Sequence, residues 1–160
     1  MVGPRATQGA RAPLFDRLAA SVDGVAEGAD GRRAPRVLDR AGVLASIGRE
    51  LNRLLNTRTP LDADALGRRP RGALDYGLPD LSLFWPFDAD SQTRLAGLIA
   101  GTVAAFEPRL RNPRVTVERV GNERSRLRAT VSGSFGLDGM VEPVSFPILL
   151  TDREDDSDGR

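Results

Sequence analysis

The chain has 160 residues, and its 23 basic side chains, all of them arginine, nearly balance 22 acidic ones. With no histidine and no cysteine it can build no zinc site of the usual kind, no Ser-His-Asp triad and no thiol nucleophile; without lysine it has no Schiff-base or P-loop lysine chemistry. The near-neutral balance argues against a general nucleic-acid binder, so carboxylate chemistry, oxygen-ligated cations and protein contacts remain, and no cofactor is expected.

Residues 1–13 are rich in Gly, Ala, Pro and Arg, and are expected to lack fixed structure. Arg5 and Arg11 have no continuous apolar stretch behind them, which is not the pattern of a secretory leader. Leu14, Phe15, Leu18 and Ala19 fall at helical spacing, so residues 14–20 read as a short docking helix. Residues 21–35, with Gly24, Gly28 and Gly31 among small and charged neighbours, read as a flexible linker.

A single α+β domain is expected over residues 36–151. Leu44, Ile47, Leu51, Leu54 and Leu55 repeat with helical period, predicting a helix from about Leu38 to Asn56 that stops before Thr59-Pro60. Arg58 to Asp90 reads as a long irregular connection, punctuated by Pro60, Pro70, Pro79 and Pro86 and carrying the basic cluster Arg68, Arg69 and Arg71. Leu81, Leu83, Phe84, Trp85 and Phe87 would pin it down. Asp88, Asp90 and Ser91 offer an N-cap for a second helix whose apolar face runs Leu95, Leu98, Ile99, Val103, Phe106 and Leu110. The longest apolar-leaning stretch, Leu95 to Phe106, is too short and too interrupted to span a bilayer, and the chain reads as cytoplasmic.

Three strands follow. Val115, Val117 and Val120 mark the first, with a turn at Gly121-Asn122. In the second, Leu127, Ala129, Val131, Gly133 and Phe135 alternate with polar residues, and Asp138-Gly139 marks a hairpin turn. The third puts Val144, Phe146, Ile148 and Leu150 on one face. Two main helices on one side of an antiparallel β-meander make a two-layer domain. Residues 152–160, with five acids against two arginines, read as an acidic solvated tail.

Pro143, Ser145, Pro147 and Leu149 share one hydrogen-bonding edge of the last strand, and two of its four N–H donors are missing. In a simple meander the opposite outer edge, Arg114 to Val120 with Arg114, Val115, Val117 and Arg119, is free of proline. Such an edge would accept a strand from a partner; equally, the prolines would merely protect their own edge from aggregation. Glu107, followed by Pro108 and Arg109, puts a carboxylate at the negative end of a helix, where local energetics do not favour it. It needs a partner, either an arginine such as Arg94 or Arg111 in a structural salt bridge, or a protein to which Glu107 and Arg109 are presented together. A glycoside hydrolase would pair Glu107 with Asp75, Asp80 or Glu50 across a cleft, but no spacing singles out a pair. The Asp62/Asp64 and Asp88/Asp90 pairs do not continue into a calcium loop.

In order, Leu14-Phe15-Asp16-Arg17-Leu18, Leu54-Leu55-Asn56-Thr57-Arg58, Tyr76-Gly77-Leu78-Pro79-Asp80 and Glu107-Pro108-Arg109-Leu110 resemble the succession of short motifs in the TssE family. This is the type VI secretion baseplate subunit, itself similar to the small wedge protein of contractile phage tails once labelled lysozyme-like. The resemblance implies a non-enzymatic assembly role at the cytoplasmic face of the inner membrane, without membrane insertion. It also implies contacts through Glu107, Pro108 and Arg109 with other wedge subunits (TssF, TssG, TssK), and addition of strands from the contractile sheath subunits (TssB, TssC).

Overall fold

The computed structural model describes residues 10–11, 37–68, 70–84, 88–121, 126–137 and 140–151. The expected docking helix, the linker, the acidic tail, Arg69, Trp85, Phe87 and both hairpin-turn pairs except Gly121 lie outside them. Within the N-terminal segment expected to be unstructured, Ala10–Arg11 (β1) pair antiparallel with Val37–Leu38 (β2), in the register Ala10↔Leu38 and Arg11↔Val37.

Helix α1 spans Arg40–Asn56, and Asp39 starts it by accepting the Gly42 N–H at 2.8 Å. The connection expected to be irregular contains a one-turn helix, α2 (Ala63–Gly67), and 3-10 turns at Ala73–Asp75 and Leu81–Leu83. Asp62 and Asp88, weighed above as fragments of calcium loops, are helix caps. Asp62 accepts the Ala65 N–H at 2.6 Å, and Asp88 accepts the Ser91 N–H at 3.0 Å and the Ser91 hydroxyl at 2.9 Å. Those bonds hold the Asp88 carboxyl below the usual range. Helix α3, Ala89–Phe106, stops short of Leu110, which begins a strand instead, because Pro108 keeps Glu107 out of the helical region.

The sheet is an antiparallel meander in the order β3 (Leu110–Arg119), β4 (Leu127–Leu137), β5 (Met140–Leu150). Strand β3 starts four residues earlier than expected and takes in Pro113. The register shifts between Arg111 and Arg114, around Asn112 at φ +51°. Gly133 lies opposite this bulge, where a Cβ would come within 2.8 Å of the Arg111 carbonyl. One sheet face carries Leu127, Ala129, Val131, Phe135, Ile148 and Leu150, all buried, against Val43, Ile47, Leu51, Leu54 and Leu55 of α1 and Leu95, Ile99 and Val103 of α3. Each fully buried Leu or Ile there contributes about 1.5–3 kcal/mol. The helices thus cover one face and leave the polar alternates to water, the two-layer α+β arrangement expected.

Helix α1 lies along β5 in the same direction. Arg40 Nε donates to Glu142 Oε2 at 2.8 Å near the start of both, Gly48 faces the Phe146 ring midway, and Asn56 reaches Leu149 and Thr151 at the end. The 17-residue helix rises about 25 Å and the 11-residue strand about 36 Å, so the helix with its end side chains runs beside most of the strand.

The loop after α2 is tied back to α1 by a parallel bridge, Arg58↔Leu78, in which the Leu78 N–H donates to the Thr57 carbonyl (2.9 Å) and the Thr59 N–H to the Leu78 carbonyl (2.8 Å). Gly77 makes that approach possible: its φ is +109°, and a Cβ would lie 2.5 Å from the Thr57 oxygen. Gly77→Ala is therefore expected to cost at least ~2 kcal/mol, combining backbone strain and loss of the bridge, as measured by urea denaturation.

Candidate functional site

Two features single themselves out: the Glu107-Pro108-Arg109 corner between α3 and β3, and the outer edge of β3. At the corner, the Glu107 N–H makes the last helical bond to the Val103 carbonyl (2.8 Å), and the Leu110 N–H closes a turn on the Glu107 carbonyl (3.1 Å), with Pro108 in the second turn position that its fixed φ suits. The Glu107 side chain folds back under this turn and is 3% exposed. Its Oε1 accepts from Arg109 Nε (2.7 Å) and from the Arg109 N–H (3.2 Å), and its Oε2 accepts from Arg109 Nη2 (2.5 Å). This is a planar fork on a carboxylate, the geometry that arginine and not lysine provides.

The partner of Glu107 is thus Arg109 itself, where the sequence pointed to Arg94 or Arg111. The arginine goes further: its Nη1 donates to Ser46 Oγ at 3.0 Å, and Ser46 is fully buried on α1. One side chain therefore ties together α1, the end of α3 and the start of β3. At the surface the corner presents Pro108 and the exposed quarter of Arg109, with Glu107 behind them as the group that holds the guanidinium in orientation.

The corner also gathers the short motifs quoted above. Tyr76 packs edge-on against Phe106, with centroids 5.3 Å apart at 69°. Burial foremost, then the Glu50 charge, and less strongly that of Glu107, push its phenol pKa upward. Leu54 to Arg58 and Tyr76 to Asp80 are joined by the Arg58↔Leu78 bridge. Leu14 to Leu18 lie outside the described residues. Beneath the loop, Asp75 is 1% exposed and accepts the Gly72 N–H at 2.7 Å, while Arg71 Nη2 donates to Thr102 Oγ1 at 3.3 Å. Burial lowers the Arg71 pKa despite the charge of Asp75.

The carboxylates weighed for hydrolysis are each engaged locally: Asp75 as above, Asp80 by the Ser82 N–H (2.9 Å), which holds its pKa low, and Glu50 by Arg53 Nη1 (2.8 Å). Among the described residues no group of three acidic side chains converges as a metal site would require, and no helix is long and apolar enough to cross a membrane.

At the sheet edge, the Val120 N–H donates to the Arg126 carbonyl at 3.0 Å, one rung beyond Arg119↔Leu127. Alternation then turns the backbone of Arg114, Thr116 and Glu118 toward β4, and that of Val115, Val117 and Arg119 outward. Among the described residues no strand pairs with β3 on that side. The regular edge is shorter than Leu110–Arg119, since the bulge at Asn112 and Pro113 interrupts it. The Val115 and Val117 side chains point to the helix layer and are half-buried against the core. Arg114 shares the strand, but with its backbone turned inward.

The family profile described as "Baseplate wedge protein gp25" matches residues 41–139, from α1 to the turn after β4. The chain belongs to the gp25 baseplate wedge family. The family-level resemblance read from the four motifs is thereby borne out. Two solved structures are also similar to the wedge chain. One, titled "The baseplate complex from the type VI secretion system", is 19% identical, with a TM-score of 0.48, and the match covers 69% of this chain and 95% of that one. The other, a crystal structure from Geobacter sulfurreducens that carries the name of a tail lysozyme, is 15% identical, with a TM-score of 0.42, covering 74% and 98%. No curated protein matches.

Because Glu107 is buried and Arg109 is partly exposed, removing either partner of the fork has unequal costs. Arg109→Ala strands a carboxylate in the interior and is expected to cost about 3 kcal/mol, while Glu107→Ala leaves an arginine that reaches water and should cost about half as much. Equilibrium unfolding of the two variants gives the comparison.

Proposed function

We propose that this wedge protein is the small baseplate subunit of a type VI secretion machine and joins the other wedge subunits to the first ring of the contractile sheath. The observation that carries this reading is the outward-facing backbone of Val115 and Val117, on a strand that pairs with β4 alone among the described residues. A sheath segment in extended conformation adds there as a fourth strand, its main chain bonding to Val115 and Val117, with Arg114 and Arg119 flanking them on the same strand. Each such bond is worth about 0.5–1.5 kcal/mol net, so the attachment depends on apolar side chains that complete the burial of Val115 and Val117, and on repetition around a ring.

Pro108 and Arg109 form the face offered to the other wedge subunits, Glu107 setting the fork from behind. The partners are then TssF, TssG and TssK at the corner, and TssB and TssC at the edge, in a machine at the cytoplasmic face of the inner membrane. The role is structural and includes no catalytic step. Both oxygens of Glu107 are occupied by Arg109 donors, which leaves it no role as the general acid that glycoside hydrolysis requires.

The Val117 N–H points away from β4, so Val117→Pro removes no bond of the meander. The variant is expected to keep the wild-type circular dichroism spectrum while sheath polymerisation, scored by electron microscopy, is lost. Normal sheaths would overturn the assignment of this edge. The purified chain is expected to release no soluble fragments from peptidoglycan; turnover that disappears in Glu107→Gln would establish the hydrolase instead.

A further inference from the structure

The opposite edge of the sheet is obstructed by the chain's own residues at Pro143, Pro147 and the end of the strand. Leu149 and Thr151 share the phase of Pro143, Ser145 and Pro147, and one side chain takes one outward backbone group of each: Asn56 Nδ2 donates to the Leu149 carbonyl (3.1 Å), while Asn56 Oδ1 accepts the Thr151 N–H (2.9 Å). A residue of a neighbouring parallel strand bonds in this same pattern, to the residues before and after the one it faces. The Asn56 amide thus stands in for a strand. Arg58 Nη2 adds a bond to the Thr151 carbonyl at 2.5 Å, and Arg58 Nη1 holds the guanidinium in place on the Leu55 carbonyl at 3.0 Å. Further back along the edge, Pro143 and Pro147 occupy the same outward phase and have no N–H to offer. Helix α1 lies alongside, anchored at both ends of β5.

We infer that the sheet accepts an added strand on one side only: Asn56, Pro143 and Pro147 seal β5, so this protein ends a series of strand-sharing subunits and cannot continue it. The inference rests on strand addition at β3. The incoming segment is short, since the regular edge runs only from Val115 to Arg119 between the bulge and the Gly121 turn. It is extended, with alternate apolar side chains on the helix side, where Val115 and Val117 remain half uncovered. It comes from a different protein, because a second copy has no open β5 to offer; two copies meeting at β3 would stop at a pair.

The test uses the full-length chain alone. Sedimentation velocity over a concentration series compares wild type, the opened variant Asn56→Ala/Pro143→Val/Pro147→Val, and the opened variant with Val117→Pro added. Wild type is expected to form nothing larger than a dimer. The opened variant should associate head to tail into longer species, with an association constant raised about tenfold or more by the restored edge bonds, and Val117→Pro should abolish this. Where the triple variant does not fold, Pro143→Val/Pro147→Val is held to the same criterion, because it reopens positions 143 to 147, a stretch as long as the Val115–Arg119 edge and clear of the clamp at Leu149 and Thr151. A folded opened variant that associates no more than wild type would overturn the inference, as would wild-type chains longer than two or association indifferent to Val117→Pro. No sheath subunit enters this assay, so a failed seal leaves strand addition at β3 to stand or fall by the sheath experiment.

Discussion

An open sheet of three strands has two edges, and the backbone groups on each must find water, a side chain or another strand. Here the two edges receive opposite treatment. Along β5 two outward donors are deleted by proline, the Leu149 carbonyl and both backbone groups of Thr151 are engaged by Asn56 and Arg58, and a helix lies along the strand. Along β3 the regular half of the edge carries neither proline nor an amide clamp among the described residues, and its two valines are only half covered. The asymmetry follows from the position of α1. A helix lying parallel to β5 brings its C-terminal residues to the end of that strand, whereas α3 reaches β3 through a tight corner and leaves its outer side open.

The corner converts a local conflict into a brace. Pro108 ends α3 and leaves Glu107 where the helix dipole disfavours a carboxylate, and the compensation comes from an arginine two positions later, whose fork also reaches Ser46 on the other helix. Buried ion pairs are weak evidence for net stability, because desolvation offsets much of the attraction. This one makes geometric sense as a device that fixes the angle at which β3 leaves α3, and with it the attitude of the exposed edge.

The parts legible in the sequence were those set by periodicity and local chemistry. The spacing of Leu44 to Leu55 and of Leu95 to Phe106 identified both helices, and the alternation from Leu127 to Phe135 identified the buried face of β4. Proline phase marked the closed edge. Interactions between residues far apart were not legible: nothing local distinguishes Asn56 as the partner of Thr151, or Ser46 as that of Arg109. The turns within Arg58 to Asp90 escaped notice because short 3-10 segments carry no period, and Gly77 gave no sign that the Thr57 carbonyl would come so near. The early start of β3 was hidden by Pro113, a residue that ordinarily argues against a strand and here sits in a bulge.

The fork at Arg109 has a mechanical consequence. A strand docked beside β3 and pulled along its axis loads its hydrogen bonds in shear, so that they resist together, while a strand peeled from one end gives them up singly. A flexible hinge between α3 and β3 would let the edge swing and turn shear into peeling. Pro108, the turn bond from Leu110 and the guanidinium bridging Glu107 to Ser46 leave that joint little freedom to rotate, and tension on a segment docked there would pass into two helices at once.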